Sequence, residues 1–321
     1  MLAIIGLIFP FFALIGLGFG TGRIVQRPIE GLAWLNVFII YLALPALFFQ
    51  LLSKTPVEQL ANPGFVTATT LATLVVFLLV FLVGFLRTRG DVPAATIKGL
   101  AGAYGNIGYM APGLALVAFG PSATVPVALI FCFDNTLHFV MAPLCMALGG
   151  GSERPVREIV ADVLTKIFSH PFIIATIVGV GAAVLGVTLP GPVDRLLTLL
   201  SSAAAPCALF AMGITLALRP LKRVPPELGY ILPAKLILHP LLVYLFLGLA
   251  GDFDPVWVHT AMLLACLPTA TNVFVIAQQY GIWVERASAA ILATTVGSVV
   301  TVTLALYAIS IGVFPANPFG Y

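Results

Sequence analysis

A chain of 321 residues that is 60% hydrophobic and 8% charged carries too little charge to clothe a soluble domain of its length. A net charge of +3, with no Lys/Arg run on one face, excludes a nucleic-acid footprint. With a mean hydropathy of +1.11, lipid is the expected solvent for most of the molecule.

About 20 apolar residues cross a bilayer. Ten such runs follow one another along the chain, near 2–20, 33–52, 65–86, 96–118, 123–148, 166–189, 196–218, 229–250, 256–279 and 286–312. The first, "MLAIIGLIFPFFALIGLGFG", lacks a basic n-region and an A-x-A-like site, so it reads as a span and not a signal peptide. With the N-terminus outside, twelve of the fifteen Lys and Arg fall in inner loops, among them Arg154, Arg219, Lys222, Arg223 and Arg286. That bias places both termini on the outer, periplasmic side of the cell's inner membrane and supports an even number of spans.

The longest loop, 149–165, divides the chain into 1–148 and 166–321, with five spans each. Five is odd, so the second half enters the membrane in the opposite sense. The halves echo one another. "FPFFALIGLGFG" in span 1 matches "HPFIIATIVGVG" in span 6, and "ALPALFFQLL" in span 2 matches "AAPCALFAMGITL" in span 7. The expectation is an all-α polytopic protein of two inverted five-helix repeats.

The fourth span of each half carries helix breakers. "YGNIGYMAPG" and "LACLPTATNVFVIAQ" place Gly, Pro, Asn and Thr where the membrane is deepest. Bare backbone in lipid is costly, so such breaks survive only beside protein or a wet cavity. Paired breaks in inverted halves mark a transport site. Their helix N-termini suit an anion. The residues expected to build it are Gly105, Asn106, Ile107, Gly108 and Pro112 in one break, with Pro268, Thr269, Thr271 and Asn272 in the other. Gly105 and Gly108 permit positive φ and close backbone approach. Pro45 and Pro206 read as ordinary kinks.

These residues carry a resemblance. "NIGYMAPGLALVAFG", "LNVFIIYLALPALFF", "APCALFAMGITLAL" and "PTATNVFVIAQQYG", spread from about 35 to 281, resemble motifs of the auxin efflux carrier family. The resemblance implies ten helices, with a scaffold of helices 1, 2, 6 and 7. It implies a transport domain of helices 3–5 and 8–10, in which discontinuous helices 4 and 9 cross. That architecture is similar to sodium–proton antiporters and bile-acid symporters. It also implies carriage of small organic anions, auxin-like monocarboxylates or malonate- and malate-like acids, by an elevator motion, and a scaffold-mediated homodimer in membrane lipid. Near the start of helix 6 the family often has Asn-Pro, where this chain carries His170-Pro171.

Asp134 alone among the twelve acids lies well inside a span, in "VALIFCFDNTLHFVMAPLCMA". Intramembrane carboxylates usually face a bundle interior or cavity. His138 is four residues on, so the two share a face and are expected to share protons. Asp134 is therefore the expected coupling-ion site, for H⁺ or Na⁺. Lys235, six residues into span 8, either snorkels to the inner face or pairs with Asp134 or an anion. His239 reads as a packing histidine. Thr294 and Ser298 read as helix contacts able to face the crossing. Cys132, Cys145, Cys207 and Cys266 read as free apolar thiols.

No P-loop, H-E-x-x-H or G-x-S-x-G occurs, and only one acid lies at depth, so an enzyme is not expected. No cofactor or metal is expected beyond a coupling ion. A secondary carrier leads. A cation–proton antiporter or sodium-coupled symporter of the same fold is the nearest alternative. A channel or a transporter-like sensor belongs to another class.

Overall fold

The computed structural model describes residues 2–55, 62–149, 156–218 and 224–319. The loop cations Arg154, Arg219, Lys222 and Arg223 lie outside them. Among the described residues every regular element is a helix, save one isolated β-bridge. Seven helices are long and apolar enough to cross a membrane: α1 (Leu2–Val25), α2 (Ile29–Ser53), α3 (Pro63–Arg87), α6 (Pro121–Leu148), α9 (Gly191–Leu218), α10 (Leu228–Ala250) and α13 (Val284–Ser310). Shorter helices fill the intervals: α4 (Val92–Ala103), α5 (Ala111–Phe119), α7 (Val156–Phe168), α8 (Pro171–Val184), α11 (Pro255–Ala265) and α12 (Asn272–Tyr280).

Most boundaries fall within a few residues of the apolar runs. The exception is the central loop, whose residues 156–165 belong to α7. Their charges, Arg157, Glu158 and Asp162, mask the helix from a count of consecutive apolar residues. α7 and α8 are separated only by Ser169 and His170. Pro171 is the reason, since it opens α8 and disfavours helix in the residue before it.

Two long helices change pitch midway. Ile39–Ala43 in α2 and Ala234–Leu238 in α10 are π-turns. Pro45 follows the first, and Pro233 and Pro240 flank the second. Each proline removes a backbone donor, and a widened turn absorbs the shifted hydrogen-bond register. Pro206, by contrast, lies inside an uninterrupted α9.

α1 packs along α9, and α2 lies against α8 and α9. The α1–α9 crossing depends on two glycines. A Cβ on Gly18 would strike the Phe210 carbonyl, and one on Gly213 would strike the Ile15 carbonyl. Small residues let helices approach closely where no hydrophobic effect drives them together. A second set gathers α3, α4, α6, α10 and α11.

An ionic cluster ties that second set together at one end. Glu227, just before α10, accepts from Arg286 of α13 at 2.5 Å and lies 3.9 Å from the buried Lys98 of α4. Arg87 of α3 stacks 5.2 Å above the Tyr230 ring. Burial pushes the Glu227 carboxyl up, but a backbone hydrogen bond and the Arg286 guanidinium outweigh it and leave the group below its ordinary value. Its stabilisation is thus present at neutral pH and fades as pH falls through the folded value. Glu227→Gln is expected to cost about 1.5–3 kcal/mol, because Lys98 is left buried without its counter-charge. A lowered thermal midpoint of the purified variant checks this.

Candidate functional site

The breaks lie where Gly and Pro crowd the sequence. α4 stops at Ala103, Tyr104 turns extended (φ −73°, ψ 99°), and helix resumes at Ala111. α11 stops at Ala265 and α12 starts at Asn272. Pro112 falls inside the first turn of α5, where its missing N–H costs nothing. Pro268 lies past the end of α11, a position that cannot continue a helix.

The two breaks pair with each other. The Asn106 N–H donates to the Pro268 carbonyl at 2.7 Å, and the Ala270 N–H donates to the Tyr104 carbonyl at 2.8 Å. Gly105 and Thr269 form an antiparallel β-bridge between them. Backbone that left its helix is thus satisfied by the other break. Thr269 completes the join: its N–H donates to Thr294 Oγ1 at 3.1 Å, and its hydroxyl donates to the Ala101 carbonyl of α4 at 2.6 Å. Ser298, also buried, donates to the Thr295 carbonyl of its own helix.

The helix ends at this join differ in kind. The carbonyl ends of α4 and α11 receive donors from the protein: Ala101 from Thr269, and Ala265 from Lys235 Nζ at 2.6 Å. The amide ends of α5 and α12 open onto a cavity of about 80 Å³. Gly108 and Tyr109, just before α5, and Thr271 and Asn272, at the start of α12, line it. Each N-terminus carries roughly half a positive charge. Gly105, Asn106, Asn135 and Tyr104 form the polar wall, with Ile40, Phe131, Ala270 and His170 around them. Tyr104 is the hub of this wall. Its hydroxyl donates to Asn135 Oδ1 and accepts from Asn272 Nδ2 at 2.9 Å. The Asn106 side-chain amide is engaged by Met212, its Nδ2 3.0 Å from Sδ on α9.

A second, water-sized cavity of about 10 Å³ lies across Gly105. Ile107, Asp134, Thr73, Thr69 and His239 are among its lining residues. Here the side chains of three helices form one chain of hydrogen bonds. Thr73 of α3 donates to Asp134 Oδ2 at 3.0 Å. Thr73 Oγ1 itself lies 3.1 Å from His239 Nε2, and His239 Nδ1 lies 3.0 Å from Lys235 Nζ. The single Thr73 proton goes to Asp134, so His239 donates from Nε2 and accepts the ammonium at Nδ1. Asp134 Oδ1 is buried and has no hydrogen-bond partner.

Several expectations change in the light of this geometry. Asp134 and His138 do share a helical face, but His138 Nδ1 turns to the Asp134 backbone carbonyl and not to its carboxylate. The ring stacks on Tyr104, centroids 4.1 Å apart. Lys235 does not snorkel: it is fully buried on the π-turn of α10 and reaches Asp134 only through His239 and Thr73. It does not line the larger cavity. His239, read as a packing histidine, is hydrogen-bonded to Thr73 and Lys235 and lines the small cavity. Neither Gly105 nor Gly108 has positive φ. A Cβ on Gly105 would sit 3.3 Å from Lys235 Nζ, so close packing against the ammonium favours glycine there.

Tyr104, Asn135, Thr73 and His170 were not singled out as site residues by sequence. A tyrosine and a threonine in apolar spans are unremarkable until their partners, some 30 to 170 residues away, are known. Asn135, next to Asp134, offered the one usable signal, an amide in a span.

Comparison with known proteins places the chain among membrane transporters. Residues 137–306 match the family model described as "Membrane transport protein". A Rhizobium meliloti (strain 1021) protein named "Putative malonate transporter" is 58% identical over 99% of this chain and 100% of its own length. "Uncharacterized transporter YfdV" of Escherichia coli (strain K12) is 24% identical over 94% of this chain and 96% of its own. The chain belongs to the membrane transport protein family, that of the auxin efflux carriers. It is an integral membrane protein of a transporter family, and the names of its relatives are those of transporters, not enzymes.

Proposed function

We propose that the protein is a secondary carrier of small organic acid anions, of the size of malonate. The observation that carries this reading is the polar cavity at the amide ends of α5 and α12. Two helix N-termini and a wall of amides and hydroxyls suit a carboxylate. With a water occupying roughly 10–15 Å³ on this measure, 80 Å³ holds about five to eight water-sized groups. That favours a short acid over an indole acid. The name of the Rhizobium meliloti relative points the same way.

The architecture proposed is ten crossings in two inverted repeats. α4–α5, α7–α8 and α11–α12 supply three interrupted crossings beside the seven long helices. α1, α2, α7, α8 and α9 form the scaffold, and the remaining helices form the domain that moves. The packing of α1 on α9 and of α2 on α8 supports that division. Both termini lie outside the cell membrane, and the protein is a homodimer through the scaffold.

Drive comes from an ion bound at Asp134, which lines the small cavity and has one oxygen without a hydrogen-bond partner. Uptake of radiolabelled malonate into proteoliposomes tests the reading. A pH gradient without Na⁺, set against a Na⁺ gradient at equal pH, identifies the ion. Asp134→Asn is expected to remove that ion dependence while malonate exchange, normalised to folded protein, persists. Failure of the wild type to exchange any short carboxylate would sink the carrier assignment.

A further inference from the structure

A dicarboxylate brings one charge more than the two helix ends can balance. Together the N-termini of α5 and α12 offer roughly one positive charge, enough for a monoanion. A fixed cation is the usual answer, and Lys235 is the lysine at depth. Its ammonium, however, is held across Gly105 by Ala265 and His239, outside the larger cavity.

The cavity has an imidazole instead. His170 lines it from the break between α7 and α8. Its backbone is anchored, because its carbonyl accepts from Ile173 N–H at 2.9 Å and Ile174 N–H at 3.1 Å. Its ring lies 5.6 Å from the Phe139 ring, on α6. The phenols Tyr104 and Tyr109 share the cavity, and no carboxylate lines it among the described residues. Asp134 and His138 of α6, Lys235 and His239 of α10 and Cys266 just past α11 are the remaining buried ionisable groups near the join, and none of them lines this cavity.

We propose that His170 is the specificity-determining residue for dicarboxylates: the helix ends and the amide wall take one carboxylate, and the His170 imidazolium takes the second. The inference rests on the carrier reading above. It makes charge number, not length, the property by which His170 selects. A monoanion needs nothing from it.

The test compares malonate with malonamate, in which a carboxamide of the same shape replaces one carboxylate. Binding is measured by calorimetry on the purified full-length wild type, H170N, H170Q and H170R. The wild type is expected to bind malonate about tenfold or more tighter than malonamate. H170N and H170Q should bring the two ligands level, with malonamate affinity kept, and H170R should retain the malonate preference. Should the uncharged variants fail to fold, the wild type is read at the ordinary imidazole pKa of about 6.5 and about two units above it, a range in which malonate stays chiefly a dianion. The malonate preference must then be larger at the lower pH. A wild type that binds both ligands equally, an unchanged ratio in H170N, or a ratio flat across that pH range overturns the role of His170 and leaves the carrier standing. A wild type that binds neither ligand overturns both.

Discussion

Asn106→Asp is expected to abolish anion uptake, with a loss of about 100-fold or more, whereas Asn106→Ala should lose less than about tenfold. The asymmetry follows from what residue 106 does. Its backbone N–H is committed to the Pro268 carbonyl, a bond no side-chain change touches. Its amide already faces Met212, so alanine removes little that the substrate uses. A carboxylate there would instead place a fixed negative charge beside the N-termini of α5 and α12. Two like charges about 5 Å apart, at an effective dielectric near 20, repel by about 3 kcal/mol. That is about two powers of ten in affinity. Malonate exchange in proteoliposomes at matched protein density gives the comparison, with the thermal midpoint as control for folding. Wild-type exchange by Asn106→Asp would move the substrate away from this cavity.

How much of this could be read from the chain alone depends on whether the physics is local. A glycine or proline disturbs a helix wherever it stands, so the breaks at 104–110 and 266–271 were visible from residue types. Asp134 was visible because a carboxylate in an apolar run is costly in any fold. Partners were not visible. Helical spacing set His138 beside Asp134, yet the carboxylate is met by Thr73, two spans away in the chain, and the imidazole by Tyr104. The reach of Lys235 was equally hidden, because it depends on a π-turn that straight 3.6-residue periodicity does not describe. α7 was missed for a different reason. Its charges break the apolar run, although an amphipathic helix needs no such run.

The site also explains why one buried lysine and one buried acid occur so close to a gap in the bilayer. Breaking a helix exposes carbonyls at one end and amides at the other. Of the four ends created here, two face the cavity as amides, and two present carbonyls to protein donors. The Thr269 hydroxyl serves α4, and the Lys235 ammonium serves α11. A cation at a helix C-terminus is favourable in itself. Within the membrane it still needs a counter-charge, and Asp134 supplies it through two hydrogen-bonded intermediates.

That arrangement makes Lys235→Met the most damaging single change for stability. It strands Asp134 without its opposite charge, and removing one partner of a buried ionic pair costs about 3–5 kcal/mol. It also leaves the Ala265 carbonyl and His239 Nδ1 without their donor. Adding Asp134→Asn removes the stranded charge but not the orphaned carbonyl. The double variant should therefore recover a part of the loss, and about half is expected. Thermal midpoints of wild type, both single variants and the double variant, measured in one detergent, form the cycle that isolates the coupling. A double variant no more stable than Lys235→Met alone would mean that Thr73 and His239 carry no electrostatic connection between the two groups. The small cavity would then be a packing defect beside a helix cap and not the seat of a coupling ion.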